Sequence, residues 1–461
     1  MDEKKNKSLM QGMLIYAIGN FGTKILSFLI VPLYTYYIST ADMGTYDLLI
    51  STVSLLTPII TLQISDAAYS FMIRGRVESR LCVQSSMQLL TVTSLVSTLV
   101  IFLVNYFFPI AFFWEFVLLC VTNNLLTVVQ RMLRGLKKQK LFALSGVIYT
   151  AVFLGLNVLQ ICVLKQGVRS LLTSAIIANT VTLILIYLLE KGLRVWFVCK
   201  PELPVIKDML AFSVPLIPNQ LSWWVINSSN RYIISLFLDR SANGIFSISY
   251  KFPTILQMLL TLFNTSWQDV VVADNEDSGA FYTKVFRTLY ILSFTMLLPM
   301  IPATKLVILW FMEQSYADAA NYVAFLYLGT VFQSFASFYG VGYLRGKDTK
   351  RASTTSIFGA IVNVILHFAL ISFIGLQAAA VSTFVGFLVM WLIREKHNRK
   401  ELGIQIRWGE FLALLLPVTG LCVAVSFTNV LLDCIITVVG GIAFLILNRN
   451  LIVDLLKKLK R

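Results

Sequence analysis

The chain has 461 residues, 57% of them apolar and only 13% charged, with a formal net charge of +15. Soluble domains carry roughly 25% charged residues, so this composition excludes an ordinary soluble protein. A basic excess of this kind needs no nucleic-acid partner, because topology and an anionic lipid surface account for it.

Fourteen apolar spans are predicted, near residues 11–37, 44–64, 83–107, 109–130, 141–164, 170–190, 209–237, 243–264, 287–311, 319–343, 353–374, 376–393, 410–428 and 430–447. Most approach or exceed the roughly 20 residues that a helix needs to cross a bilayer. The expected fold is an all-α polytopic membrane protein: two six-helix bundles related by a pseudo-two-fold along the membrane normal, plus two C-terminal helices. Residues 1–207 form the expected N-terminal lobe with spans 1–6, and residues 208–400 form the C-terminal lobe with spans 7–12. Residues 401–461 hold the two additional spans and a basic tail.

Charge placement supports this count independently. With a cytoplasmic N-terminus, the inside segments hold 31 of the 38 Lys and Arg residues. Lys165, Arg169 and Arg240 lie in or beside outside loops, and Lys24, Arg231, Lys251 and Lys305 lie within spans. The positive-inside rule then places both termini in the cytoplasm. The first apolar run is too long for a signal-peptide core and lacks a small-residue cleavage site, so it is expected to stay as a signal anchor.

Several kinds of chemistry find no residues to carry them. Six cysteines, at 82, 120, 162, 199, 422 and 434, have no metal-site or redox spacing. Gly340 to Lys347 resembles a phosphate loop only loosely: its glycine spacing is off by one and Asp348 stands where Ser or Thr is needed. The predicted outside loops are short, leaving no external platform for an enzyme that builds sugar chains. Neither an enzyme nor a cofactor site is expected.

The informative pattern is a repeat. Shifted by 200 residues, Asp47, Ser51, Ser54, Thr61 and Ser65 fall on Ser247, Lys251, Thr254, Thr261 and Thr265. Upstream, Asn20, Lys24 and Ser27 fall on Gln220, Trp224 and Asn227. Steps of three or four residues put each set on one helix face. Polar helix faces repeated in two halves suggest a transporter built around a central site. Prolines 32, 58, 215, 218 and 253 are expected to interrupt these spans, where neighbours or water satisfy the freed carbonyls.

An ionised group at mid-membrane costs roughly 2.5 to 3.5 kcal/mol on insertion scales, so such residues usually face a wet cavity or a partner. Lys24 lies near mid-depth of the first span. Arg231 follows Asn219, Trp223 and Asn227 at i+4 steps, and Lys251 enters from the outer end of the eighth span. Lys305, beside Trp310, reads as an interfacial anchor. Asp47 reads equally as a helix-end residue, a partner of Lys251 or a proton carrier. Asp66 and Arg74 bracket an amphipathic exit from the second span, and His367, on one face with Asn363, reads as a satisfied core residue.

The opening pattern resembles a family. It comprises a basic polar tail, Tyr16 to Tyr37 with Gly19, Gly22, Ser27 and Val31-Pro32-Leu33-Tyr34-Thr35, then Ile38 to Tyr46, with Arg74 closing the second span. It is similar to the polysaccharide-transporter, or Wzx-type, flippases of the multidrug/oligosaccharidyl-lipid/polysaccharide exporter superfamily. The resemblance implies export of an undecaprenyl-pyrophosphate-linked oligosaccharide for capsule, O-antigen or another surface polysaccharide. It also implies a bacterial cytoplasmic membrane, surrounding lipids, and a polymerase and other assembly proteins as partners. Related lipid II flippases receive the pyrophosphate in a cationic cavity, and Lys24 occupies the comparable first-span region.

Residue chemistry fits that substrate. Lys24, Arg231 and Lys251 are candidates to attract a diphosphate, Asn20, Gln220, Asn227 and Gln257 to bind hydroxyls, and Trp223, Trp224 or Tyr250 to stack on sugars. Asp47 is the candidate coupling residue. Two alternatives remain at this stage: a MATE-like drug/cation antiporter, against which the excess of intramembrane bases argues, and a non-transporting scaffold of a glycan assembly complex.

Overall fold

The computed structural model describes residues 28–193, 202–273, 279–345, 348–449 and 453. Among them every regular element is a helix, and twelve helices are long and apolar enough to cross a membrane. Trp408–Ala424 adds a shorter apolar helix. Of the expected first span only the end from residue 28 is described. The contacts divide the chain into two compact units, Met1–Trp224 and Val225–Arg461.

The first unit holds α1 (Val31–Tyr37), α2 (Thr40–Ile60), α3 (Ile64–Arg74), α4 (Ser79–Phe107), α5 (Phe113–Gly135), α6 (Gln139–Val158), α7 (Arg169–Leu189) and α8 (Leu203–Ser213). Ser39 caps α2 by accepting from the Asp42 amide, and its hydroxyl donates to the Asp42 carboxylate at 2.8 Å. Pro58 lies two residues before the end of α2, and Leu62 and Gln63 then take left-handed backbone conformations before α3 starts. Gly75, at φ +62°, ends α3, with the Arg76 amide returning to the Phe71 carbonyl as in a Schellman closure.

Two apolar clusters hold this unit. One gathers Ile64 and Phe71 of α3, Met87 of α4, Met132 of α5 and Met209 of α8. The other joins Leu49 and Val53 of α2 to Phe116 and Cys120 of α5 and Leu172 of α7. Ion pairs fasten the helix ends. Arg131 of α5 donates to Asp66 of α3, and Arg169 at the start of α7 reaches Glu115 at the start of α5 across 2.5 Å. Asp66 therefore ties α3 to α5, and Glu115 is a paired helix-start residue.

The second unit begins within α9 (Ile217–Ser228) and continues through α10 (Asn230–Phe237), α11 (Arg240–Ala273), α12 (Gly279–Phe311), α13 (Ala319–Arg345), α14 (Thr349–Ile374), α15 (Gln377–Leu402), α16 (Trp408–Ala424) and α17 (Val430–Leu447). Its centre is aromatic: Phe286, Phe294, Phe332, Phe335, Trp391 and Phe411 meet at centroid distances near or below 6 Å, with Trp391 stacked on Phe411 at 5.3 Å. Arg394, counted by sequence among the basic residues of an inside segment, is buried in this bundle. It donates to Thr355 and Ser356 of α14 and to the Ala336 carbonyl of α13.

The expectation for the prolines holds in part. A short 3-10 turn, Val214–Leu216, containing Pro215, separates α8 from α9. Pro253 does not interrupt its span, because α11 runs unbroken for 34 residues. The repeated stripes therefore sit on unlike helices, α2 broken beyond Ile60 and α11 continuous.

The last two spans are built onto α12. Arg287 grips Glu410 of α16 with Nη2 at 2.7 Å. Asn448 donates to Thr295 at 2.9 Å, and Lys305 pairs with Asp433 of α17 at 2.9 Å. Lys305 is thus a buried ion-pair member, not an interfacial anchor: α17 covers the position that sequence alone places at the bilayer surface. Between these clamps Gly440 lies against the backbone of Leu298 and Pro299, where an added Cβ would come within 2.9 Å. Gly440→Ala is expected to cost about 1–3 kcal/mol because backbone cannot give way as a side chain can. Gly441→Ala meets nothing within 4 Å and is expected to be neutral or to stabilise by up to about 1 kcal/mol. Thermal stability of the detergent-solubilised variants separates the two, and equal behaviour would reject the close packing.

Candidate functional site

Arg231 lies in the first turn of α10, across the single-residue turn at Ser229 from Asn227 near the end of α9. Its Nη1 donates to the Asn227 carbonyl at 2.7 Å, and its guanidinium carbon stands 4.9 Å from the Tyr250 ring centroid. The Tyr250 hydroxyl in turn donates to Asn227 Oδ1 at 3.1 Å. Arg231 is only 7% exposed, and a desolvated cation over an aromatic face is worth about 2 kcal/mol or more. Three residues singled out by sequence thus converge in one unit.

From Tyr250 the same face of α11 continues through Thr254, Gln257, Thr261 and Asn264 at steps of four and three. Lys251 follows Tyr250 directly and is half-buried. Gln257 donates to Gln333 Oε1 of α13 at 3.1 Å, and Asn264 donates to Ser334 Oγ at 2.8 Å. Between the two helices lies a cavity of about 50 Å³, lined by Gln257, Leu260, Thr261 and Asn264 from α11 and by Thr330, Gln333, Ser334 and Ser337 from α13. The matching stripe of α2 is mostly buried, with Asp47 and Ser51 inside, whereas Thr254, Thr261 and Thr265 of α11 are exposed.

In the first unit the Trp224 indole N–H is shared between the Ser51 carbonyl at 3.1 Å and Ser54 Oγ at 3.0 Å. The repeat residues of α2 therefore fix this tryptophan. Trp223 is half-buried and Gln220 exposed on α9. Lys24 and Asn20 lie outside the described residues.

Sequence reading missed two clusters. Gln333, Ser334 and Ser337, with Thr330, place four polar groups on one face of an otherwise apolar span; their i, i+3, i+4, i+7 spacing was the available signal. The second is a buried network around Asn230, of which the sequence pattern shows only His367. Asn230 donates through Nδ2 to Thr383 Oγ1 at 2.6 Å and to the Ala379 carbonyl at 3.2 Å, and its Oδ1 meets His367 Nδ1 at 2.7 Å. A carbonyl cannot donate, so the Asn230 amide nitrogen must face Ala379, and His367 Nδ1 must carry the proton. His367 is therefore buried in the core, as expected, with the tautomer set by Asn230, but it is satisfied on one side only: its Nε2 has no hydrogen-bond partner among the described residues.

These features define a multi-pass helical membrane protein with polar helix faces inside apolar spans. The fold matches solved members of the exporter superfamily. A structure of the lipid II flippase MurJ in an inward closed conformation aligns with TM-score 0.70 over 95% of this chain and 100% of that one, at 13% identity. Inward-facing and outward-facing multidrug resistance MATE transporters align with TM-scores 0.68 and 0.61. They cover 82% and 85% of this chain and 94% and 95% of theirs, each at 13% identity. No curated protein matches the chain in sequence. The polysaccharide biosynthesis protein family matches residues 9–267, more than half of the chain, and the chain belongs to that family.

Proposed function

We propose that the protein is a flippase that carries an undecaprenyl-pyrophosphate-linked oligosaccharide across the bacterial cytoplasmic membrane for surface polysaccharide synthesis. The observation that carries this reading is a buried guanidinium, Arg231, held over Tyr250 beside Asn227 within a member of the polysaccharide biosynthesis family. A lipid-linked sugar diphosphate has an anionic head that a cation attracts and rings that amides and aromatics hold, while its tail stays in lipid. Lys24, Arg231 and Lys251 take the diphosphate, and Asn20, Gln220, Asn227, Trp223, Trp224 and Gln257 take the sugars. The lobes alternate access around a cationic central cavity, with Asp47 as the coupling residue. Both termini are cytoplasmic, and polymerase and assembly proteins receive the product.

The test is neutralisation in a strain lacking the chromosomal copy. Lys24→Gln with Lys251→Gln, at normal membrane levels, is expected to lower surface polysaccharide by roughly tenfold or more, since hydrogen bonds to charged groups contribute about 1.5–3 kcal/mol each. The lipid-linked glycan should accumulate on the inner leaflet. Undiminished surface polysaccharide would reject the role of these cations, and altered drug sensitivity without glycan accumulation would favour a drug antiporter.

A further inference from the structure

The cavity between α11 and α13 contains no charged side chain: Gln257, Thr261, Asn264, Gln333, Ser334 and Ser337 supply amides and hydroxyls, with Leu260 as the apolar wall. Polar pairs between membrane helices also serve as adhesive, and two of these residues do bond across the interface. Adhesive pairs close upon one another, however, and this seam stays open. About 50 Å³ is left between the helices, Asn264 Oδ1 is buried with no hydrogen-bond partner, and Thr261 on the rim is exposed. A space of that size exceeds what one water needs, and its donors and acceptors suit a neutral hydroxyl or amide group better than an ion.

The same α11 face leads back to Tyr250, whose ring lies under Arg231, and to the adjacent Lys251. Lys251 and the Tyr250 ring that supports Arg231 lie at one end of the stripe, with Gln257 about 9 Å and Asn264 about 20 Å further along the helix at 1.5 Å per residue. We infer that the α11–α13 cleft is a sugar subsite: it accepts uncharged hydroxyl or acetamido groups of the glycan, separate in position and chemistry from the cations that take the diphosphate. This rests on the flippase reading above and deepens it. The head group then lies along α11, diphosphate at the Lys251 end and sugars toward Asn264, and selection among glycans is made by neutral hydrogen bonds.

Native mass spectrometry of the full-length protein in detergent tests this with two probes, undecaprenyl diphosphate alone and undecaprenyl diphosphate carrying an N-acetylglucosamine disaccharide. The wild-type protein is expected to bind the glycosylated lipid roughly tenfold more tightly, the worth of one to two net hydrogen bonds. Thr261→Val with Ser337→Ala keeps the packing and both cross-helix bonds, and should lower that preference about threefold. Asn264→Leu with Gln333→Leu should erase it while leaving affinity for the bare lipid unchanged. The subsite is overturned if the wild-type protein binds both lipids equally, if both variants retain the preference, or if affinity for the bare lipid falls as far as for the glycosylated one. Failure of the wild-type protein to bind either lipid would instead reject the flippase reading itself.

Discussion

Lys305→Ala is expected to destabilise the protein by about 3–5 kcal/mol, the usual effect of removing one member of a buried ion pair. The Lys305 ammonium joins three elements at once. It contacts Asp433 at 2.9 Å in the first turn of α17, and donates at 2.7 Å to each of the Val425 and Thr428 carbonyls just beyond the end of α16. The Val425 carbonyl, at the C-cap of α16, is among the groups that a helix end leaves without intrahelical partners, and the negative end of the helix favours a cation there, while Thr428 belongs to the connection that leads into α17. Asp433, wholly buried, accepts in addition from the Thr428 hydroxyl at 2.5 Å. Truncating the lysine strands a carboxylate in an apolar bundle and reopens the α16 end. Lys305→Met combined with Asp433→Leu removes both charges and should recover most of the loss, because the desolvation cost disappears with the pair. Thermal unfolding of the solubilised protein and its membrane level measure both effects. A single variant as stable as wild type, or a double variant no better than the single, would rule out the clamp.

That pair marks the boundary of what the chain discloses by itself. The spans were legible because each is a long apolar run broken by polar turns, and bilayer crossing demands little more than that. Lys305 was misread because its depth was judged from Trp310, its neighbour in sequence, while its partner arrives with the last span. Proline carries a similar ambiguity: Pro58 stands just ahead of a break and Pro253 sits inside a continuous helix, and the difference lies in the left-handed residues Leu62 and Gln63. On the site side, the i+4 spacing of Asn227 and Arg231 was visible, and so was the α11 stripe. The opposing polar face of α13 was equally visible in its spacing, yet it gains meaning only once Gln333 is seen against Gln257. Asn230 was overlooked because one amide beside an arginine reads as part of the same polar turn, whereas the helix directs it toward α14 and α15.

Asn230→Leu is the other substitution with a large expected effect, about 2–3 kcal/mol, because it leaves the His367 Nδ1 proton buried without an acceptor and withdraws the donor held by Thr383 and the Ala379 carbonyl. His367→Phe with Asn230→Leu removes donor and acceptor together, so the double variant should be more stable than the sum of the single changes predicts, by roughly 0.5–3 kcal/mol of coupling. Additive effects in thermal unfolding would show that the two residues act independently. The network also bears on the site. Asn230 anchors α10 to α14 and α15, and the next residue is Arg231, whose guanidinium must stay within reach of the Asn227 carbonyl and the Tyr250 ring. Releasing the anchor lets that turn shift while every cation keeps its charge. Under the proposed flippase function, export of surface polysaccharide should therefore fall in Asn230→Leu even where membrane levels stay normal, and the double variant, with its apolar packing restored, should export more than the single. Equal export by both would confine the network to stability and leave the placement of Arg231 to Tyr250 and Asn227 alone.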